Sequence, residues 1–204
     1  MAVVDLRGQS NRAAEDDQQA RVVEAALRCI ARWGQAKTSL DDVAREAGLS
    51  RATVYRLVPG GKENLMVLVS TYELNRFFVS LHEAVQGVDT LEDTLVTGVT
   101  AAARHLQHHG ALKFMLDHEP EHILPLFAFT NLDRILENVR AFGAPYLAPW
   151  LGHDAGRCAE WVARIVLSYT CAPSPEYDLT DNASARRLVR RFVLPGITTV
   201  VNNQ

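Results

Sequence analysis

Apolar positions recur at three- and four-residue steps through most of the chain, the spacing of one helix face rather than of a strand. Val23, Ala26, Leu27, Ile30 and Trp33 form a first stripe, and Gly34 is a natural stop. Thr38 and Ser39 each offer a hydroxyl to open a second helix. Asp41 and Asp42 suit the positive end of its dipole, and Leu40, Val43, Ala44 and Ala47 give it a buried face before Gly48. Ser50 caps a third helix, Arg51 to about Val58, which Pro59-Gly60-Gly61 breaks. Lys62-Glu63 opens a long fourth helix, with Leu65, Leu68, Val69, Tyr72, Arg76 and Val79 in step, running to about Gln86.

Helical spacing continues beyond it. Thr90-Leu-Glu-Asp93 is a cap signal for a segment that ends at Gly110. A short helix follows from Ala111 to His118, and Pro120 and Pro125 interrupt the next stretch. Phe127–Phe142 is amphipathic through Leu132, Ile135, Leu136 and Val139, with Gly143, Pro145 and Pro149 set to kink or end it. Asp154–Ala172 is strongly apolar. Asp181 or Asn182 caps a last helix, with Pro195-Gly196 near its end. No strand alternation or internal repeat competes. The pattern predicts an all-α chain of about nine helices: a polar tail over 1–17, a three-helix unit over 18–65 and a larger helical domain over 66–204. Arg7 and Arg12 give the tail a second reading, as an arm that reaches into a minor groove.

Composition changes this picture in one respect. The chain has 204 residues, 48 % of them apolar, and a net charge of -3. That average hides an asymmetry: residues 21–65 carry eight Lys/Arg against five Asp/Glu, whereas residues 66–204 carry eleven against fifteen. The charge able to meet phosphate lies near the N-terminus. Cys29, Cys158 and Cys171 are odd in number and far apart, so a disulfide framework is not expected and a reducing cytoplasm is. The first twenty residues hold no apolar run of the signal-peptide kind, and no stretch of eighteen apolar residues marks a membrane span.

The second and third helices, joined at Gly48-Leu49-Ser50, make a helix-turn-helix. A helix that enters a major groove about 12 Å wide needs small side chains on its first turn. Here they are Ser50, Ala52 and Thr53, with Arg51 beside them. Hydroxyls and free N–H groups at that end favour an anion. Val54 and Leu57 point inward; Tyr55 and Arg56 face out, long enough to reach a phosphate or a base. Lys62 starts the next helix beside the backbone, and Thr38 and Ser39 touch the opposite wall. As a structural alternative, Ser39 and Ser50 would cap helices whether or not they met DNA, and Tyr55 could pack against the first helix.

Residues from Arg21 to about Leu68 resemble the DNA-binding domain of the TetR family of bacterial transcriptional regulators. The resemblance rests on Val23-x-x-Ala26-Leu27-x-x-Ile30, Thr38-x-x-x-Asp42-Val43-Ala44-x-x-Ala47-Gly48, Ser50-x-x-Thr53-Val54-Tyr55-Arg56 and Lys62-Glu63-x-Leu65. The chain departs from the family where an aromatic residue usually follows: Leu57-Val58-Pro59-Gly60-Gly61 stands there instead.

The resemblance implies a homodimer held by the last two helices and a palindromic operator. Val162, Val166, Tyr169, Val189, Phe192 and Val193 are its candidate interface residues, with intramolecular core as the alternative. It also implies an effector pocket in the larger domain. Phe114, Met115, Leu116, Phe127, Phe129, Leu132, Leu136, Phe142, Trp161 and Ile165 are candidate lining residues, and their character suits an apolar or amphipathic effector. The pattern Trp161-Val-Ala-Arg-Ile-Val-Leu-Ser-Tyr169, with Arg190-Arg191-Phe192-Val-Leu-Pro195-Gly-Ile197, is similar to actinobacterial members tied to fatty-acid or hydrocarbon metabolism, so a fatty acid or acyl-CoA is the expected effector class.

His105, His108, His109, His118 and His122 crowd near Asp117, Glu119 and Glu121, but their place at helix C-termini reads as dipole compensation, and no metal or cofactor is expected. Arg186, Arg187, Arg190 and Arg191 form a basic stripe that reads as a solvated or dimer-edge face. No phosphate loop, nucleophile elbow or zinc signature is present, so an enzyme is not expected. The competing reading is a small-molecule- or protein-binding module that has lost operator recognition through residues 57–61.

Overall fold

The computed structural model describes residues 6–123 and 129–201, with side-chain surroundings for 15–121 and 132–197. Among the described residues all regular structure is helical. In chain order it comprises α1 (Leu6–Trp33), α2 (Leu40–Ala47), α3 (Arg51–Leu57), α4 (Gly61–Val85), α5 (Leu91–His108), α6 (Gly110–His118), α7 (Pro120–Ile123), α8 (Phe129–Leu151), α9 (Ala155–Cys171), α10 (Asn182–Leu188) and α11 (Leu194–Val201). Since α7 is one turn, and α10 and α11 form one rod, the longer rods match the nine that the periodicity predicts. Among the described residues no helix is long and apolar enough to cross a membrane.

Contacts divide the chain into two units. One comprises Met1–Asn75 together with Gly110–Pro120; the other comprises Arg76–His109 and Glu121–Gln204. The division falls inside α4, ten residues beyond the sequence boundary at Leu65. It also gives the first unit α6, which the sequence pattern assigns to the larger domain over 66–204.

In the first unit, Val22, Val23, Ala26 and Cys29 of α1 meet Val43 and Ala44 of α2, Val54 of α3 and Leu65 of α4 in one core. Because α1 packs against both α2 and α6, its buried face is wider than the predicted stripe, and Trp33 at the end of that stripe is exposed. The tail expected over 1–17 is helical from Leu6. That segment has no apolar period to reveal it, but Glu15 reaches Arg56 of α3 at 2.7 Å, a tertiary contact that sequence spacing does not show. Arg7 and Arg12 lie on this extension, their side chains outside the described ones.

In the second unit, Leu95, Val96 and Val99 of α5 pack with Leu147 and Leu151 of α8, Ala155 and Ala159 of α9, and Leu188, Val189 and Val193 near the C-terminus. Gly143, Pro145 and Pro149 do not end α8, which continues to Leu151. Burial of Leu147 and Leu151 carries the helix past the missing N–H groups. Gly143 serves a close approach instead: a Cβ there would lie 2.5 Å from that of Ala159. Pro195 likewise sits inside a helix. A π turn over Val189–Val193, closed by the Leu194 N–H donating to Val189 O, opens the ladder just before the proline ring would meet the carbonyl four residues back. All three thiols are free, and burial pushes that of Cys158 up to about 11.

Candidate nucleic-acid interface

Two serines build the reading surface through local bonds. Ser39 caps α2: its Oγ accepts from the Asp42 N–H at 3.2 Å, while Asp42 Oδ2 accepts from the Ser39 N–H at 3.2 Å, a complete capping box. Ser50 caps α3, its Oγ accepting from the Thr53 N–H at 3.1 Å. Between them the turn is closed by Gly48 in the left-handed region at φ 64°. Val54, fully buried, and Val58 anchor the inner side of α3. Val58 is also where the sequence lacks an aromatic: the smaller side chain still reaches the core. Beyond it, Gly60 and Gly61 both take positive φ, 95° and 78°, so the turn into α4 requires glycine twice.

What this leaves outside is a face of small and polar groups. Ser39, Ser50, Arg51, Ala52, Tyr55 and Arg56 are exposed, Tyr55 by 54 %, and Thr53 is half-buried. Its charges are held but replaceable. Arg51 pairs with Asp41 at 3.1 Å, and Arg56 with Glu15 at 2.7 Å. Arg45, most of its side chain exposed, pairs with Asp42 at 2.7 Å. Ser39 first, then Arg45, holds the Asp42 carboxyl below its ordinary range, and Arg28 does the same for Glu46. Such surface pairs are worth little each, so a phosphate can take an arginine from its carboxylate at small cost.

One predicted contact is corrected, and a second has a partner within the protein. Thr38 is 2 % exposed, and its Oγ1 donates to Gly34 O at 2.7 Å, so it locks the α1–α2 turn and presents no hydroxyl to DNA. Lys62 is half-buried, and its Nζ donates to Ala36 O at 2.8 Å; the ammonium braces the same turn. In exchange the structure exposes Lys37 on that turn and Arg45 on α2, which the sequence reading passed over. Only the local excess of basic residues signalled them.

The effector candidates are divided between the two units. Phe114, Met115 and Leu116 belong to the first unit; Leu132, Leu136, Phe142, Trp161 and Ile165 belong to the second. Phe127 and the side chain of Phe129 lie outside the described residues. Trp161 is 41 % exposed, whereas Leu136 is fully buried. Phe142 sits in an aromatic run the sequence reading did not assemble: Phe78 at 4.8 Å, Tyr146 at 5.1 Å between ring centroids, and His82 bonded to the Tyr146 hydroxyl. Phe77 extends it, edge-on to His105 at 5.3 Å.

Of the dimer candidates, Val166, Val189 and Val193 are enclosed in the second unit's own core, the last two at 0 % exposure, so they offer a partner no surface. Val162 and Tyr169 are half-buried and Phe192 is exposed. Apolar spacing marks buried and interface positions alike, which is why the sequence did not separate them. The arginine stripe is partly neutralised: Arg186 and Arg190 meet Glu92, and Arg186 also meets Asp93 at 2.7 Å. Among the described residues no group of three or more His, Cys, Asp or Glu is placed to hold a metal. His118 instead stacks on Phe114, and His108 bonds Arg104 O.

Residues 22–67 match the profile of the bacterial regulatory proteins of the tetR family. An uncharacterized HTH-type transcriptional regulator of Mycobacterium tuberculosis is 26 % identical over 182 residues, covering 87 % of this chain and 84 % of that one. Among solved structures, the TetR family repressor AlkX from a Dietzia strain, implicated in biodegradation of n-alkanes, superposes with a TM-score of 0.64 at 22 % identity, over 88 % of this chain and 97 % of that one. The fatty acid degradation regulator FadR from Bacillus halodurans does so with a TM-score of 0.60 at 17 % identity, over 86 % and 96 %. The structural likenesses concern the fold.

Proposed function

We propose that the chain is a DNA-binding transcriptional regulator of the tetR family, as its similarities to that family support, and that it represses from a palindromic operator, as a cytoplasmic homodimer, until a small apolar or amphipathic effector releases it. The observation that carries the DNA half is the α3 surface: a capped seven-residue helix whose outer side presents Ser50, Ala52 and Tyr55, with Arg51 and Arg56 held only by exposed ion pairs. Its small first turn fits a major groove, and its arginines are free to exchange a carboxylate for phosphate. A dimer follows from economy. One such unit makes few phosphate contacts, while two recognition helices roughly 34–36 Å apart read two half-sites at once. Val162, Tyr169 and Phe192 supply the interface surface that remains in the proposed α9–α10 region.

The effector half rests on the second unit. The rings of Phe78, Phe142 and Tyr146 lie together there with one polar pair, His82 and the Tyr146 hydroxyl. That mixture suits an aliphatic chain with a polar end. FadR is described as a regulator of fatty acid degradation and AlkX as implicated in alkane biodegradation. We take a fatty acid or acyl-CoA as the effector class on those two grounds.

The test is a gel shift of purified protein on the DNA upstream of its own gene, against scrambled DNA of equal length, at near-physiological salt. A preferential shift at nanomolar protein, lost on Tyr55→Ala or Arg56→Ala and released by long-chain fatty acid or acyl-CoA, is the expected result. Equal weak binding to both DNAs, unchanged by either substitution, would overturn it.

A further inference from the structure

We propose that Glu119 is a positioning residue for operator reading: from just past the end of α6 its carboxylate sets the turn that carries the N-terminus of α2. This rests on the DNA reading above. Glu119 is 9 % exposed. Its Oε2 accepts from the Gln35 N–H at 2.6 Å and its Oε1 from the Ala36 N–H at 3.2 Å, across 84 and 83 residues of sequence. Two consecutive backbone N–H groups turned to one anion form the concave site that peptides offer to carboxylate or phosphate. Here the protein fills it from its own chain.

The turn is shaped around that carboxylate. Gly34 stands at φ +84°, and a Cβ there would lie 2.2 Å from Oε1 of Glu119, so the glycine is required by conformation and by the carboxylate together. Two neighbouring groups are tied to the same arrangement. Thr38 Oγ1 donates to Gly34 O at 2.7 Å, and Lys62 Nζ donates to Ala36 O at 2.8 Å. Ala36 is three residues before Ser39, whose capping box fixes the first turn of α2, and one before the exposed Lys37.

A carboxylate is a costly way to fill a core, since an ion must surrender its water. An apolar residue would satisfy packing alone. The carboxylate instead specifies one geometry of residues 34–36, and with it the placement of Ser39 and Lys37 against phosphate. Glu119→Gln keeps the volume but can accept with one oxygen only, so one of the two N–H groups loses its partner.

The experiment measures fluorescence anisotropy on a duplex enriched from a random pool by the wild-type protein, for wild type, Glu119→Gln and Glu119→Ala, alongside thermal melting and binding to a scrambled duplex. Both variants, folded at the assay temperature, are expected to bind the enriched duplex about tenfold more weakly or worse. Their weak binding to the scrambled duplex should match wild type. A merely structural role would lower the melting temperature and leave the affinity of the folded protein intact; affinities within twofold of wild type overturn the proposal. Failure to enrich any duplex would instead bring down the DNA reading, before a variant is made. Amide exchange on the wild-type protein covers the case in which both variants unfold. By linkage, operator must slow exchange at Gln35 and Ala36 more than at the core amide of Val22; equal slowing overturns the proposal.

Discussion

The two units hold themselves together differently. In the first, the elements that face outward are set by neighbours three residues apart, Ser39 with Asp42 and Ser50 with Thr53, around a core of small aliphatic side chains. In the second, distant partners decide: Arg186 and Arg190 meet carboxylates of α5 more than ninety residues earlier, and Gly143 lets α8 close on Ala159 of α9. The caps of the first unit's outward surface are therefore encoded locally, while Glu119 reaches its α1–α2 turn from 84 residues away. The second unit is encoded by packing, where sequence spacing says least.

The strongest way to probe that contrast is to remove matched core volume. Leu65→Ala and Leu136→Ala each delete a fully buried leucine, one per unit, and each is expected to cost about 2–5 kcal/mol, read as a lowered urea midpoint. At temperatures where both remain folded, Leu136→Ala should keep operator affinity and alter effector release. Equal effects on both readouts would erase the distinction. Next in size, Gly143→Val forces a side chain into the α8–α9 contact and is expected to cost about 1–3 kcal/mol. Calorimetry should show the loss in the second unit, with no comparable effect from Gly61→Ala beyond backbone strain, since space around Gly61 is open.

Local encoding is tested by the caps. Ser50→Ala should cost about 1 kcal/mol of stability. It should also weaken operator binding, because one hydroxyl serves both; an intact affinity would separate them. A smaller effect, in the opposite direction, is expected from Glu15→Gln, which frees Arg56 from its ion pair. Operator affinity should rise by roughly two- to fivefold at low salt and converge with wild type as salt increases.

Acid gives the mildest contrast. Arg190 and then Arg186 hold the Glu92 carboxyl below its ordinary range, and Arg164 does so for Glu160. Depressed carboxyls contribute stability that is present above the unfolded range and lost as pH falls through about 4 and below. The urea midpoint should therefore drop between pH 5 and pH 3, and Arg186→Gln should flatten that drop.

Much of the first unit was legible because its signals are short. Gly48, Ser50, Thr53 and Val54 are a turn, a cap and an anchor within seven residues, and each stands where the spacing predicted. Thr38 turns inward, and Lys62 bonds the adjoining turn, for a reason the sequence does not carry. A hydroxyl or an ammonium near a helix start looks the same in sequence whether it meets phosphate or a carbonyl of the adjoining turn. Helix α6 packs with the first unit, through a pairing with α1 that leaves no periodic trace. In the second unit the helices were legible and their partners were not. Val189 and Val193 share the apolar spacing of Phe192 but are sealed in the core, and Pro145 and Pro195 stop no helix because burial and a π turn accommodate them.

The interleaving of the units bears on how the protein is made. Residues 1–75 leave the ribosome first, yet their unit also contains Gly110–Pro120, so the stretch 76–109 must be synthesised before α6 can reach α1 and Glu119 can close on Gln35 and Ala36. During that interval a nascent chain holds the helices of a DNA reader without the segment that completes them. Translation of residues 76–119, and not folding alone, thus limits how soon each new copy can complete its first unit.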